Sequence, residues 1–223
     1  MLILDKICYR YKNSETDVLK EVSAEFHSGN FTAIVGPSGS GKTTLLSIMA
    51  GLDKPTSGTA TIDGDDLADL DMFQYRRERI SMIFQAFQLF PLLKAIENVC
   101  YPMEMNKIKR RLAKERAAEL LNSVGIDASK HNRYPSNLSG GEQQRVAIAR
   151  ALSSGAKFIL ADEPTGNLDK ANSIAVVSIL KKLAHEDGYC VIVVTHNHEI
   201  AEASDVVYKM SDGVLQLSVK NRT

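Results

Sequence analysis

Four short stretches combine residue types in patterns that can manage a phosphate chain. The first is GPSGSGKT, running from Gly36 through Pro37, Ser38, Gly39, Ser40, Gly41 and Lys42 to Thr43, with Thr44 directly behind it. Glycines at this spacing let backbone N–H groups converge on anionic oxygens, and a helix N-terminus adds donors and a favourable dipole. Lys42 can reach the β- and γ-phosphates of a nucleotide, and the Thr43 hydroxyl can hold Mg²⁺. The second is ILADEP, in which Asp162 and Glu163 end an apolar run. Asp162 suits a Mg²⁺ anchor. Glu163 suits polarisation of an attacking water, which needs reach of about 2.6–3.2 Å or one bridging water. The third is THNH, which sets His196 directly after a core strand, where it can meet a terminal phosphate or steady Glu163. His198, two residues on, does not share that direction. The fourth is LSGGEQQRVAIARA, where Ser139, Gly140 and Gly141 open a long helix and form a second anion site. One terminal phosphate does not need two such sites from one chain. If Ser139 to Gly141 cap a nucleotide held by a second copy, each site is built from both protomers in a two-fold arrangement.

These stretches need strands and helices to aim them. FTAIV ahead of the glycine loop is a β-branched apolar strand, and TLLSIMAG behind Lys42 buries leucine and methionine on one helical face. The first thirty residues predict a strand over LILDKICYRY, a polar loop from Lys12 to Asp17, and a second strand from Val22 to Phe26. TATID at 59–63 is a short strand entered through Pro55, Ser57 and Gly58. ISMIFQ is strand-like, and AFQLFPLLKAIENV then crowds aromatic and apolar residues around Pro91. A helix follows with Ala113, Ala117, Leu120, Leu121 and Val124 on one face and Gly125 as its stop. FILAD at 158–162 and CVIVVT at 190–195 are buried strands. The helix between them is predicted to face Ile174, Val177, Leu180 and Ala184 inward. Val206 to Met210 and Val214 to Val219 form a closing hairpin around Asp212 and Gly213. The expectation is a single α/β domain over 1–223. A β-subdomain and core occupy 1–84 and 155–223, and a helical subdomain is inserted at 85–154.

Composition narrows the function classes. Lysine plus arginine equals aspartate plus glutamate at 27 each, which argues against nucleic acid as the main ligand. The basic run Lys107, Lys109, Arg110, Arg111 and Lys114 is answered at once by Glu115 and Glu119, as expected of a solvated helix start. No apolar stretch reaches 18 residues and no basic-then-apolar leader opens the chain, so a cytosolic location is expected. Cys8, Cys100 and Cys190 lack metal-ligand spacing and are expected to be buried free thiols. A guanine-reading NKxD segment is missing, since Asn106 and Lys107 have no aspartate two residues beyond. A small-molecule kinase would leave LSGGEQQ without a role.

In the order GPSGSGKT, LSGGEQQ, ILADEP and THNH, the chain resembles the nucleotide-binding subunit of ATP-binding cassette (ABC) transporters, over nearly its whole length. That resemblance implies a P-loop NTPase core of ABC ATPase type, with an N-terminal antiparallel β-subdomain and an inserted helical subdomain. It implies ATP and Mg²⁺ as ligands, with Gly36 to Thr43 as the Walker A loop, Asp162 as the Walker B aspartate and Glu163 as the catalytic glutamate. Gln85 matches the Q-loop glutamine that touches Mg²⁺ and the attacking water. Ser139, Gly140 and Gly141 match the signature that completes the partner's site, and His196 matches the switch histidine. Asp169 in GNLD matches the aspartate of the D-loop, which lies where the two protomers meet. Tyr11 matches the aromatic that stacks on adenine, with Tyr9 as a competitor. RRERISMIFQAFQLFPLLKAIENV, LDKPTSG and LADEPTGNLD resemble the subgroup of MacB-type efflux pumps and lipoprotein-releasing LolCDE complexes. This implies an ATP-dependent homodimer on the cytoplasmic face of the membrane. A membrane-spanning permease would dock near Gln85 to Pro91, around Phe87, Leu89, Phe90 and Pro91. The alternative within the fold is a soluble ATPase acting on nucleic acid or ribosomes.

Overall fold

A computed structural model describes residues 1–12 and 14–220. Two sheets sandwich one helix, and the remaining large helices cover the opposite face of the larger sheet. The small sheet joins β1 (Leu2–Tyr9), β2 (Leu19–Phe26), β4 (Ser57–Ile62) and β5 (Asp65–Asp66) in the order β2-β1-β4-β5, all antiparallel. The large sheet contains β3 (Phe31–Val35), β6 (Ile80–Phe84), β7 (Phe158–Asp162), β8 (Cys190–Thr195), β9 (Val206–Ser211) and β10 (Val214–Lys220), ordered β10-β9-β3-β8-β7-β6. Among the described residues only its β9–β10 pair is antiparallel.

The α-helices are α1 (Lys42–Met49), α2 (Met72–Glu78), α3 (Ala95–Met105), α4 (Arg110–Ser123), α5 (Gly140–Ser153), α6 (Lys170–His185) and α7 (His198–Glu202). The strands of the large sheet are buried on both faces, so they read as unbroken apolar runs rather than alternating ones. In β8, Cys190, Ile192 and Val194 join a core with α1 and the small sheet, while Val191 and Val193 join one with α3 to α6. The chain is therefore α/β, as expected.

Four local expectations need correction. The first strand stops at Tyr9 and does not reach Tyr11. Its pairing slips twice, between Leu4 and Ile7 and again between Ile7 and Tyr9, and Lys6 takes a left-handed φ of 47°. Tyr9 and Tyr11 thus do not share a strand face. Ile174 is 57% exposed, whereas Val176, Leu180, Leu183 and Ala184 carry the buried stripe of α6. Six residues turn a helix so that Ile174 lies about 120° from Leu180, off that stripe. Cys8 is only half-buried, unlike Cys100 and Cys190. Finally, α2 forms over Met72–Glu78, a stretch with no apolar periodicity to predict it. Its cap is Asp71, whose carboxylate accepts the N–H groups of Phe73 and Gln74 at 2.7 and 3.1 Å. Among the described residues no helix is long and apolar enough to cross a membrane.

Candidate active site

Parallel strands end on the same side, and this places the candidate residues together. In the ladder Val35 pairs with Thr195, Val194 with Asp162, and Asp162 with Phe84. The chain leaves the sheet after these residues through the glycine loop, His196, Glu163 and Gln85 respectively. The carboxyl edge of a parallel sheet is where such folds bind ligands. A cavity of about 860 Å³ opens there, lined by Tyr11, Ser38, Gly39, Gly41, Lys42, Thr43, Thr44, Gln85, Asp162, Glu163 and His196, together with Val18 and Val194.

The glycine loop is shaped by close contacts as well as by torsion. A Cβ on Gly36 would lie 2.1 Å from the Met210 carbonyl oxygen on β9, so no side chain fits there. Gly41 caps α1 at φ 104°, a conformation other residues rarely adopt. Lys42 is buried, and its Nζ donates to the carbonyls of Gly36 and Pro37 at 2.8 Å each. The loop is buttressed by the closing hairpin. Gly213 N–H donates to Ser40 O at 3.1 Å, and Lys20 N–H donates to Gly213 O at 2.9 Å.

Glu163 is held from three sides. Thr195 Oγ1 donates to Oε2 at 3.0 Å, His196 N–H donates to Oε1 at 3.1 Å, and His196 Nδ1 lies 2.7 Å from Oε1. An ionised carboxylate only accepts, so Nδ1 carries the proton in that contact. Glu163 adopts φ 46°. For a residue with a side chain this costs about 1–2 kcal/mol, a cost associated with functional positions. Burial raises the Asp162 carboxyl above its usual range, Glu163 adds to the rise, and Lys42 opposes it. No hydrogen bond reaches the Asp162 carboxylate among the described residues. No group of three or more His, Cys, Asp and Glu able to hold a metal occurs among the described residues. The donors fit a hard cation held by one carboxylate, a hydroxyl and oxygens of the substrate, which is the pattern Mg²⁺ favours.

Gln85 faces the loop before α6. Its Nε2 donates to Asn167 Oδ1 at 3.2 Å, and Asn167 Nδ2 returns a bond to Gln85 O at 3.1 Å. Beyond it the chain turns back tightly, with Phe87 at φ 59° and Gln88 at φ 53°. Tyr11 is half-exposed at the cavity mouth, its hydroxyl 3.0 Å from Thr44 Oγ1. Tyr9 stands edge-on to it at 5.0 Å and packs on the α1 core.

Ser139, Gly140, Gly141 and Asp169 do not line this cavity. Ser139 caps α5 in a reciprocal box with Glu142, and Glu142 also meets Lys130 at 2.5 Å. Asp169 caps α6. The cap of α6 is tied to the body of α5 through Asn172, whose Nδ2 donates to Asp169 Oδ2 at 2.7 Å and whose Oδ1 accepts from Arg145 at 3.1 Å. Thr195, Asn167, Asn172 and Arg145 were not singled out from the sequence. Thr195 could have been found, since it is the polar end of a buried strand ahead of His196; the others have no local signal.

The ABC transporter family model matches residues 19–166. LolD 2, a lipoprotein-releasing system ATP-binding protein of Rhodopirellula baltica, is 40% identical over 96% of this chain and 87% of its own. The macrolide export ATP-binding/permease protein MacB of Syntrophobacter fumaroxidans is 41% identical over 93% of this chain and 30% of its own. Among solved structures, the dimeric post-hydrolysis state of the cassette MJ0796 with ADP and Pi matches at a TM-score of 0.90. That match has 40% identity and covers both chains fully; MJ0796 comes from Methanocaldococcus jannaschii. The chain belongs to the ABC transporter family, as one of its ATP-hydrolysing cassettes.

Proposed function

We propose that two copies of this chain close head-to-tail around two ATP molecules and drive a membrane-spanning permease in export, extraction or mechanotransmission. One observation carries this reading. Ser139 to Gly141 open a capped helix outside the cavity of their own phosphate loop, and Ser139 and Gly140 at its tip are accessible to a second copy while Gly141 is buried behind them. The dimeric MJ0796 structures support it.

In the closed pair the glycine-loop amides and Lys42 bind the phosphates, Tyr11 stacks on adenine, and the partner's serine and glycines complete the site. Asp162, Thr43 and Gln85 would hold Mg²⁺, which neutralises charge on the transferring phosphoryl group. Glu163, already oriented by Thr195 and His196, takes up the proton of the attacking water. His196 anchors Glu163 through Nδ1–H, and donation from its Nε2 to the γ-phosphate requires the imidazolium, which carries a proton on both ring nitrogens. Asp169 steadies the contact between protomers.

Docking of the permease at the cytoplasmic face of the membrane is supported by a groove of about 570 Å³ between α2 and α3. Phe73 is 81% exposed and Leu52 54% exposed at its rim, with the Phe90 and Tyr101 rings in tilted contact at 4.8 Å on its other wall. Leu89 instead packs on the core, and Phe87 faces Gly140. The deciding experiment is Glu163→Gln in a purified assembly with the permease. Hydrolysis should fall by about 10²–10⁴-fold, the usual contribution of general base catalysis, and the ATP-bound dimer should accumulate. Turnover at the wild-type rate, or a persistent monomer at saturating ATP, would overturn the proposal.

A further inference from the structure

The turn behind Gln85 is held in a conformation that its own residues do not favour. Phe87 N–H bonds Phe84 O at 3.2 Å and Gln88 N–H bonds Ala86 O at 2.6 Å, while Phe87 and Gln88 both lie in the left-handed region. Neither is glycine, and consecutive left-handed residues with side chains are disfavoured by the clash of Cβ with the backbone. A restraint from outside the turn is required.

Arg150 on α5 supplies it. Its Nη1 donates to Gln88 O at 2.6 Å and its Nη2 to Phe87 O at 3.1 Å, one prong to each left-handed residue. The guanidinium lies 5.7 Å from the centre of the Phe90 ring. Among the described residues it has no carboxylate within ion-pair distance. A sheltered cation normally takes an anionic partner; here the donors go to two backbone carbonyls. The planar fork of arginine can bridge both, and a lysine ammonium cannot reproduce that geometry. Further along, Asn98 fixes the loop by accepting Phe90 N–H at 2.8 Å and donating to Leu93 O at 2.9 Å.

We infer that Arg150 is a positioning residue that latches the Phe87–Gln88 turn and so holds Gln85 at the nucleotide cavity. It rests on the role given to Gln85 above. Arg150 is carried by the same helix that opens at Ser139 to Gly141.

The test compares Arg150→Met and Arg150→Lys in the full chain by amide hydrogen exchange, with ATP hydrolysis measured in the assembly with the permease. Exchange within 84–90 should rise by about tenfold or more in both variants while α5 itself stays at the wild-type rate. For hydrolysis, kcat should fall about tenfold with KM for ATP within about twofold. In a double-mutant cycle with Gln88→Gly, which removes the left-handed penalty at that residue, the loss from Arg150→Met should shrink to under about threefold. If Arg150→Met folds poorly, Arg150→Lys keeps the charge and the stem and must still show faster exchange in the turn. Wild-type exchange in the turn, uniform acceleration through α5, or equal losses on both backgrounds would overturn the latch. Glu163→Gln run alongside separates the two ideas. Retained turnover there removes the catalytic reading, whereas lost turnover with an unaffected Arg150→Met removes only the latch.

Discussion

Replacing Gly141 with alanine should destabilise the protein, while the same change one residue earlier should not. A Cβ at position 141 would meet Asn172 Oδ1 at 2.0 Å, Cγ at 2.3 Å and Cβ at 2.9 Å. Rotating the asparagine clears the first two contacts but breaks its bonds to Asp169 and Arg145. Each such bond is worth about 0.5–1.5 kcal/mol net. The third contact is to an atom fixed by the α6 backbone, so the helices must also separate slightly, adding about 1 kcal/mol of overpacking strain. Against these losses stands at most about 1 kcal/mol from exchanging glycine for alanine in a helix. The net cost is about 2 kcal/mol, and for a chain of this size it lowers the melting temperature by about 4–8 °C. At Gly140 the nearest atoms, on Leu168 and Phe87, are 3.7 Å away, an ordinary contact. Gly140→Ala should therefore melt no lower than wild type and up to about 4 °C higher. Calorimetry or circular dichroism melts of both variants decide the matter. Equal melting temperatures would refute the claim that Asn172 dictates the glycine.

Other outcomes follow from the same reasoning. Because its folded-state carboxyl is raised, ionised Asp162 destabilises the fold above its carboxylate range, and that penalty disappears as pH falls below the unfolded value. Asp162→Asn should thus melt higher than wild type at pH 8, with the gain fading in acid; a constant gain across pH would contradict this, as would none. The Gln144 side chain is fully buried with neither amide atom hydrogen-bonded. Gln144→Met keeps its shape and should raise the unfolding free energy by about 1–2 kcal/mol in urea titrations. A loss of stability there would show that the amide is satisfied after all.

The candidate site residues were legible because each motif is a contiguous run attached to the end of a strand. GPSGSGKT, ILADEP and THNH needed only the parallel order of β3, β7 and β8 to converge, and apolar runs such as CVIVVT announce such strands. Elements with short or shifted apolar patterns were harder. Only Tyr75 of α2 is buried, so no stripe marks that helix, although Asp71 at its cap was a readable signal. On α6, counting apolar residues by threes included Ile174, which the helix turns toward solvent. Links between distant segments were illegible in principle. Arg150 reaches carbonyls at 87 and 88 and Asn172 reaches both Arg145 and Asp169, and no local spacing encodes such pairs.

The support of the glycine loop by the closing hairpin bears on how the protein is made. Gly36 rests against the carbonyl of Met210, and Ser40 accepts from Gly213, yet these contacts join segments far apart in the order of synthesis. A nascent chain that has already released its glycine loop, both carboxylates and His196 still lacks the floor on which that loop sits. Its contact is non-local and closes late. Nucleotide binding should therefore be among the last properties acquired on the ribosome, and a chain that stalls between His196 and Met210 would display the full set of motif residues without a formed phosphate cradle.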